Sequence, residues 1–152
     1  MSESLEVQNL SEDVIDLLVS ATKIEGATIL MFKDGDVNVE ASQGIVNPES
    51  LSQHPVIEES IQKGTSHYFT LPKHIQMDRI LTQFTPSEVF VEPIDFKGVH
   101  LGVIIAATGS EYADERTKNT LQLFARSVGL ALNNALIHSK FQRLAAYDSL
   151  TN

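Results

Sequence analysis

The chain has 152 residues, enough for one domain with a buried core plus a connecting helix. Its hydrophobic fraction of 42% and charged fraction of 20% are ordinary for a globular protein. With 20 acidic residues against 11 basic ones, the formal net charge is −9, which disfavours binding to nucleic-acid phosphates. The absence of cysteine excludes disulfides, thiolate nucleophiles and cysteine-ligated zinc.

The sequence predicts neither a membrane span nor a secretory signal. The longest mostly apolar run, VHLGVIIAAT at 99–108, has about half the length of a membrane-spanning helix. The N-terminal MSESLEVQNL is acidic and polar, unlike a signal peptide. Together with the lack of cysteine, these features predict a cytoplasmic location and no membrane contact from these residues.

The order of apolar residues and turn formers predicts helices alternating with hairpins. Ser11 is a favourable N-cap, and apolar residues at helical spacing predict a helix over 11–24 that Gly26 ends. The pair Asp34-Gly35 predicts a tight turn between strands, and Phe96-Lys97-Gly98 predicts a second turn. The other predicted elements are strands at 27–33 and 37–41, a loop or short helix at 45–54, a helix at 54–64, and strands at 66–71, 88–95 and 99–108.

Two of these segments have distinctive compositions. Residues 99–108 are nearly all apolar, so this strand is predicted to lie centrally in the sheet with both faces covered. Residues 72–87, PKHIQMDRILTQFTPS, have scattered apolar residues between two prolines. A long irregular insertion of this kind is typical of a lid or a binding loop.

The last predicted helix runs from Asp114 to Tyr147 and contains a single glycine, Gly129. At 1.5 Å per residue it is about 50 Å long, more than a domain of this size covers. Gly129 is either a weak point of the helix or a site of close helix packing, and the sequence leaves both open. One apolar stripe, suited to packing on the sheet, consists of Leu121, Ala125, Val128, Leu132 and Ala135.

A second stripe on this helix repeats mostly every seven residues, as in a seam between two helices. It predicts a homodimer through the C-terminal helix. The alternative, one wide core face, leaves Ile137, Phe141 and Leu144 without partners. The predicted dimer and output residues are Leu123, Leu130, Ile137, Phe141 and Leu144.

The order of the elements resembles the GAF domain, an α/β sensory module of bacterial signalling proteins. The resemblance is carried by HPVIEESIQKG at 54–64, by VEPIDFKGVHLGVIIAA at 91–107, and by the long helix that ends ALNNALIHSKFQRLA. Pro93, Gly98 and Gly102 match positions that recur in the family. The resemblance implies an α/β (α+β) fold, with a mainly antiparallel sheet of about five to six strands flanked by helices and a long C-terminal signalling helix.

The last residues, YDSLTN at 147–152, resemble the start of a GGDEF domain, the catalytic domain of diguanylate cyclases. Asp148, Leu150, Thr151 and Asn152 fit the opening Asp-x-Leu-Thr pattern of that family. The catalytic Gly-Gly-Asp/Glu-Glu-Phe motif would lie beyond residue 152. The implied division is an N-terminal tail at 1–10, a GAF-like domain at 11–135, a connecting helix at 136–147 and the start of a GGDEF domain at 148–152.

The sequence offers no catalytic or metal site. No two histidines have the spacing of a metal motif, so we expect surface or locally hydrogen-bonded histidines. His138 lacks the residues that follow a histidine-kinase phosphoacceptor. Cyclic-nucleotide-binding relatives carry an Asn-Lys pair that is missing here, while bilin-binding and reductase relatives use cysteine. No cofactor is therefore expected in this fragment.

A small-molecule pocket is predicted between the sheet and the 72–87 insertion. Arg79 is suited to an anionic group and the aromatic residues to a planar ligand. The alternative places the aromatic residues in the core and leaves Arg79 solvated. The candidate pocket residues are His67, Phe69, His74, Arg79 and Phe84.

The resemblance implies a regulatory domain that controls, through a dimeric output helix, a diguanylate cyclase domain that joins two GTP molecules into cyclic di-GMP. A small-molecule effector would provide the signal. The competing hypothesis is a constitutive dimerisation module that senses nothing. A free-standing enzyme is disfavoured, because the sequence clusters no nucleophile, base or metal ligands.

Overall fold

The structure is a computed structural model with side chains. It describes the backbone of residues 2–22, 24–33, 35–45, 47–70, 88–109 and 115–151. Side chains are described for all of these except residues 2–5, 33, 69, 70, 136 and 138–151. The elements are α1 Ser2–Ala21, β1 Gly26–Lys33, β2 Asp36–Gln43, a short 3-10 helix Pro48–Gln53, α2 Pro55–Lys63, β3 His67–Thr70, β4 Glu88–Phe96, β5 Val99–Thr108 and α3 Glu115–Thr151.

The five strands form one sheet in the order β2-β1-β5-β4-β3, and every neighbouring pair is antiparallel. The central position of β5 confirms the prediction from its composition, since its residues from Leu101 to Thr108 are all buried. The turn that joins β4 to β5 has positive φ at Lys97 (50°) and Gly98 (81°), as a two-residue hairpin turn requires. The antiparallel five-stranded sheet with flanking helices confirms the predicted α/β (α+β) fold class.

The two faces of the sheet carry separate layers of the core. One face, which includes Ile29 and Ile104, packs against α1 and α3. The other face, which includes Val91 and Val103, packs against Leu51 of the 3-10 helix and against α2. Because β5 is covered on both sides, its apolar side chains are removed from water on each face.

The first helix begins earlier than the sequence predicts. It starts at Ser2, so most of the predicted tail at 1–10 is helical backbone. Ser11 is fully buried and its hydroxyl has no hydrogen-bond partner, so it is not the N-cap. Val7 is buried one turn before Ser11, and Ile15 one turn after it. The apolar stripe therefore continues through the serine, and its packing against the sheet outweighs the capping preference.

The first helix also ends earlier than predicted, at Ala21. The hydroxyl of Thr22 donates to the carbonyl oxygen of Leu18 and accepts from the backbone N–H of Ile24. Both bonds satisfy backbone groups at the end of α1, where the hydrogen bonds within the helix stop. Gly26, the predicted stop, is instead the first residue of β1.

The second helix follows its sequence signals. Pro55 occupies the first turn, and the ring Nδ1 of His54 accepts from the backbone N–H of Val56 at 3.3 Å. Gly64 ends the helix in the left-handed conformation with φ 63°, and its N–H donates to the carbonyl oxygen of Ser60. The predicted helix at 54–64 is confirmed.

The last helix, α3, begins at Glu115, one residue from the predicted start. Its 37 residues make it about 55 Å long. The backbone of 148–151 is helical, so the helix continues four residues beyond its predicted end at Tyr147; no glycine or proline interrupts the helix after Gly129. The predicted core stripe is confirmed, with burial of Leu121, Ala125, Val128 and Leu132 and partial burial of Ala135.

Gly129 is a point of close approach between α3 and the sheet. A Cβ atom at this position would lie 2.7 Å from the carbonyl oxygen of Asp95. Close packing therefore accounts for the glycine. The Gly129→Ala substitution should destabilise the fold by about 1–3 kcal/mol through overpacking, although alanine favours a helix by about 1 kcal/mol.

Urea denaturation of the Gly129→Ala variant measures this change, with Ser127→Ala on the exposed side of α3 as the control. A gain in stability from Gly129→Ala would show that the backbone at Asp95 moves to make room for the methyl group. The glycine would then be a position that lowers the stability of the helix.

Candidate functional site

The structure describes only part of the predicted ligand pocket. His67 lies on β3 opposite Val91, on the sheet face that α2 covers, and its ring Nε2 is 3.1 Å from the hydroxyl of Thr65. Phe69 lies on the same strand as His67, and its backbone pairs with Val89 of β4. The other three residues, His74, Arg79 and Phe84, lie outside the described residues. The pocket beneath 72–87 stays a prediction.

A cavity of about 400 Å³ lies at a different place, between the outer edge of β4 and α3. It exists because β3 is short: its pairing with β4 runs only from Glu88 to Val91. Beyond Val91 the outer edge of β4 meets the chain at Gly64 and Ser66 instead of a strand. The polar lining residues are Ser66, Glu92, Asp95, Gln122 and Arg126.

Glu92 is the partly buried acid of this cavity. The hydroxyl of Ser66 donates a hydrogen bond of 2.9 Å to its Oε1. Burial raises the pKa of Glu92 above its usual value, and the Asp95 carboxylate adds to that effect. The Ser66 hydrogen bond and the positive charge of Arg126 lower the pKa, but they do not offset the burial. The ionised carboxylate is therefore incompletely compensated.

The opposite wall of the cavity is a face of α3. Gln122 and Arg126 are one helical turn apart, so their side chains lie on the same side, and both are exposed. Ala125 lies between them and is buried at the base. The cavity thus has carboxylates on the β4 wall and a guanidinium with a carboxamide on the α3 wall. Such an arrangement binds groups of opposite charge at its two sides.

Asp95 connects this cavity to three other elements. A register shift in the β4–β5 pairing occurs between Ile94 and Asp95. The Asp95 carboxylate is 2.7 Å from Nδ1 of His100 on β5, and the His100 ring packs against Gly64 at the end of α2. The expectation of a locally hydrogen-bonded histidine is confirmed for His100. The backbone oxygen of Asp95 faces Gly129, so this residue contacts α3 directly and reaches the end of α2 only through the His100 ring.

None of these polar residues was among the predicted site residues. Glu92, Asp95 and Arg126 lie up to 34 positions apart and meet only when α3 packs on the sheet. One signal was present in the sequence: Glu92 is an acid within the otherwise apolar run VFVEPI. A second was the pairing of Asp95 with His100 across a predicted tight turn.

The second stripe of α3 is exposed where its side chains are described. The exposed fractions are 63% for Leu123, 49% for Leu130 and 44% for Ile137. The side chains of Phe141 and Leu144 lie outside the described residues. Leu17 of α1, which packs beside α3, is also exposed. The first three stripe residues are therefore not used by the core of a single chain.

Among the residues with described placement, no group of three or more histidine, aspartate or glutamate side chains could hold a metal ion. The described helices include none with the length and apolar character needed to cross a membrane.

No protein-family model matches the chain, and a search of the curated proteins finds no match. Solved structures do resemble it. The GAF domain/HD domain protein from Geobacter sulfurreducens has a TM-score of 0.68 and 16% identity, covering 90% of this chain and 97% of that one. The GAF domain of an Acinetobacter phosphoenolpyruvate-protein phosphotransferase has a TM-score of 0.69 and 15% identity, covering 87% and 85%.

A third similar structure is an enzyme, the type II free methionine-R-sulfoxide reductase from Thermoplasma acidophilum, with a TM-score of 0.70 and 13% identity over 87% of this chain and 96% of that one. At such identities the likeness shows the fold alone, and the fold is that of GAF domains. Because one fold serves regulatory domains and an enzyme, function has to be argued from the residues of this chain.

Neutralising Glu92 should stabilise the protein in a pH-dependent way. The folded pKa of Glu92 is raised, so its carboxyl is neutral in both states at low pH and ionises at a cost to the folded state as pH rises. Glu92→Gln keeps an acceptor for Ser66 and stays neutral throughout. The variant should therefore gain stability over the wild type as pH rises from about 4 to about 7.

Urea denaturation at several pH values measures this difference, and Glu25→Gln, at an exposed position before β1, is the control. A stability difference that is constant across pH would contradict a desolvated carboxylate at Glu92.

Proposed function

We propose that the chain is a regulatory domain that controls, through a dimeric α3, a diguanylate cyclase domain located beyond residue 152. The single observation that supports this most directly is the exposed apolar stripe on α3, which has heptad spacing in Leu123, Leu130 and Ile137. The GAF fold of the chain agrees with a regulatory role, because the fold occurs in domains joined to other functional units.

The stripe supports a pair of α3 helices. Side chains every seven residues on one helix face pack into the matching face of a second helix. Burying a fully exposed leucine or isoleucine contributes about 1.5–3 kcal/mol; these side chains are 44–63% exposed, so each contributes a part of that, and three such pairs together favour association. A parallel arrangement places the two C-terminal ends of α3 side by side.

The proposed output follows from the last residues. Asp148, Leu150, Thr151 and Asn152 resemble the start of a GGDEF domain. Two GGDEF domains must face one another to join two GTP molecules into cyclic di-GMP, by resemblance to that family. A helix that is continuous to Thr151 would carry a displacement in the domain directly to such a pair.

The proposed input is a small-molecule effector bound beneath 72–87. In this proposal, His67, Phe69, His74, Arg79 and Phe84 surround the effector, and its binding changes how the sheet packs on α3. The location is the cytoplasm, where GTP is available.

A constitutive dimerisation module is the second candidate, because the exposed stripe alone requires no ligand. Native mass spectrometry of the purified chain separates the two. A bound metabolite that leaves on denaturation would support sensing. A dimer without any ligand, and with no thermal shift from a metabolite panel, would support the constitutive module.

A charge in the stripe should dissociate the dimer. The wild-type chain is expected to sediment as a dimer at micromolar concentration in analytical ultracentrifugation. Leu130→Glu should sediment as a monomer, since two carboxylates cannot be buried together in the seam without partners. The matched control is Val99→Glu, because Val99 is an aliphatic residue of similar exposure at the start of β5 (58% exposed) and lies outside the stripe.

A dimer that persists in Leu130→Glu would place the interface elsewhere. A monomeric wild type at high concentration would remove the basis for signalling through α3.

The coding sequence after Asn152 tests the proposed output. A Gly-Gly-Asp/Glu-Glu-Phe run within roughly the next hundred residues is expected, since a GGDEF domain fits that range. The full chain should then convert GTP to cyclic di-GMP, and Leu130→Glu should lower this rate by at least about tenfold, as both reacting GTP molecules must be brought together. The absence of the motif would rule out the cyclase.

A further inference from the structure

We propose that the cavity between β4 and α3 binds a free α-amino acid, with the ammonium group on the β4 wall and the carboxylate group on the α3 wall. This site differs from the pocket expected beneath 72–87. Binding there depends neither on the dimer nor on the proposed cyclase.

The β4 wall is suited to an ammonium group. Glu92 has one hydrogen bond from Ser66, and its carboxylate remains undercompensated because burial outweighs the attraction of Arg126. The Asp95 carboxylate is close enough to raise the pKa of Glu92 further. A primary ammonium between these two carboxylates would supply the missing positive charge. Its N–H donors would be accepted by Glu92 and by the lone pairs of the Asp95 carboxylate that the contact with His100 does not use.

The α3 wall is suited to a carboxylate. Arg126 is exposed, and its guanidinium presents donors in a planar fork that a carboxylate accepts in a bidentate manner. The Gln122 carboxamide, one turn earlier on the same face, adds a further donor. Because the two walls carry opposite charges, the cavity favours a ligand with both charges over one with either charge alone.

The size of the cavity agrees with a small ligand. Its volume of about 400 Å³ lies within the range of about 300–1,000 Å³ that is usual for small-molecule sites. Ala125 and Pro93 provide apolar surface for the side chain of the amino acid. The ligand would touch β4 and α3 together, two turns or less from the contact of Gly129 with Asp95.

The direct test is isothermal titration calorimetry of the 152-residue chain with the twenty amino acids, each compared with its amine and carboxylic-acid analogues. At least one amino acid should bind with a Kd below about 1 mM, and both analogues should bind at least about tenfold more weakly. Glu92→Gln and Arg126→Gln should each weaken binding of the amino acid by about tenfold or more. Matched controls are Glu25→Gln and Arg116→Gln, at exposed positions outside the cavity.

The two variants should also differ in their ligand preference. Arg126→Gln should bind the amino acid and its amine analogue with similar affinity. Glu92→Gln should bind the amino acid and its carboxylic-acid analogue with similar affinity. Because the pKa of Glu92 is raised, the affinity of the wild type should rise as pH increases above the usual range of a glutamate and Glu92 ionises, and this rise should shrink in Glu92→Gln. The charged groups around Glu92 are Asp95 on β4, Arg126 on α3 and, through Asp95, His100 on β5.

Several results would overturn the proposal. These are the absence of binding by any amino acid at about millimolar concentration, equal binding of an amine analogue, and affinity unchanged in both variants. Amino-acid binding that is lost in Arg79→Gln but kept in Arg126→Gln would place the ligand beneath 72–87 instead. Thermal unfolding confirms that each variant is folded, and Arg126→Gln changes only an exposed side chain.

Discussion

The approach of α3 to the carbonyl oxygen of Asp95 fixes the geometry of the whole helical side of the sheet. Only a residue without Cβ permits the helix to lie this close, and Gly129 occupies that position. The contact sets the height of α3 above β4 and its rotation about its own axis. That rotation buries Leu121, Val128 and Leu132, directs Arg126 towards the edge of β4, and leaves Leu130 in solvent.

One helix therefore presents three different surfaces. Its buried stripe completes the core with β4 and α1, its polar face forms a wall of the cavity, and its exposed apolar stripe is available to a second helix. Because an α-helix is a stiff element, a change at one of these surfaces is carried to the other two. Asp95 strengthens this coupling, since its side chain bonds His100 while its backbone oxygen meets Gly129. A ligand at the cavity and a partner at the stripe would act on the same rigid body.

The sequence predicts those features that depend on periodicity and on local turn chemistry. The composition of 99–108 places β5 at the centre of the sheet, Pro55 and Gly64 delimit α2, and the two stripes of α3 separate a buried face from an exposed one. Ser11 misleads because its side chain favours a cap, while its position in the apolar stripe favours the core. In this case packing over several turns outweighs one capping hydrogen bond.

The cavity could not be predicted for a different reason. Its two walls come from β4 and α3, and their spacing depends on the Gly129 contact and on how far β3 extends along β4. Neither quantity is encoded in a local pattern. The isolated acid at Glu92 in an apolar strand was one sign that a charged group lies near the core.

The short β3 also affects how the protein associates with itself. An uncovered strand edge usually recruits further strands, with sheet polymerisation as the hazard. Within the described residues, no strand pairs with the outer edge of β4 beyond Val91; this part contains Pro93, which has no N–H to offer to an incoming strand, and the walls beside it are charged. The edge is thus protected against strand addition while remaining open to small solutes. The exposed stripe of α3, by contrast, presents an apolar face to the second helix proposed above.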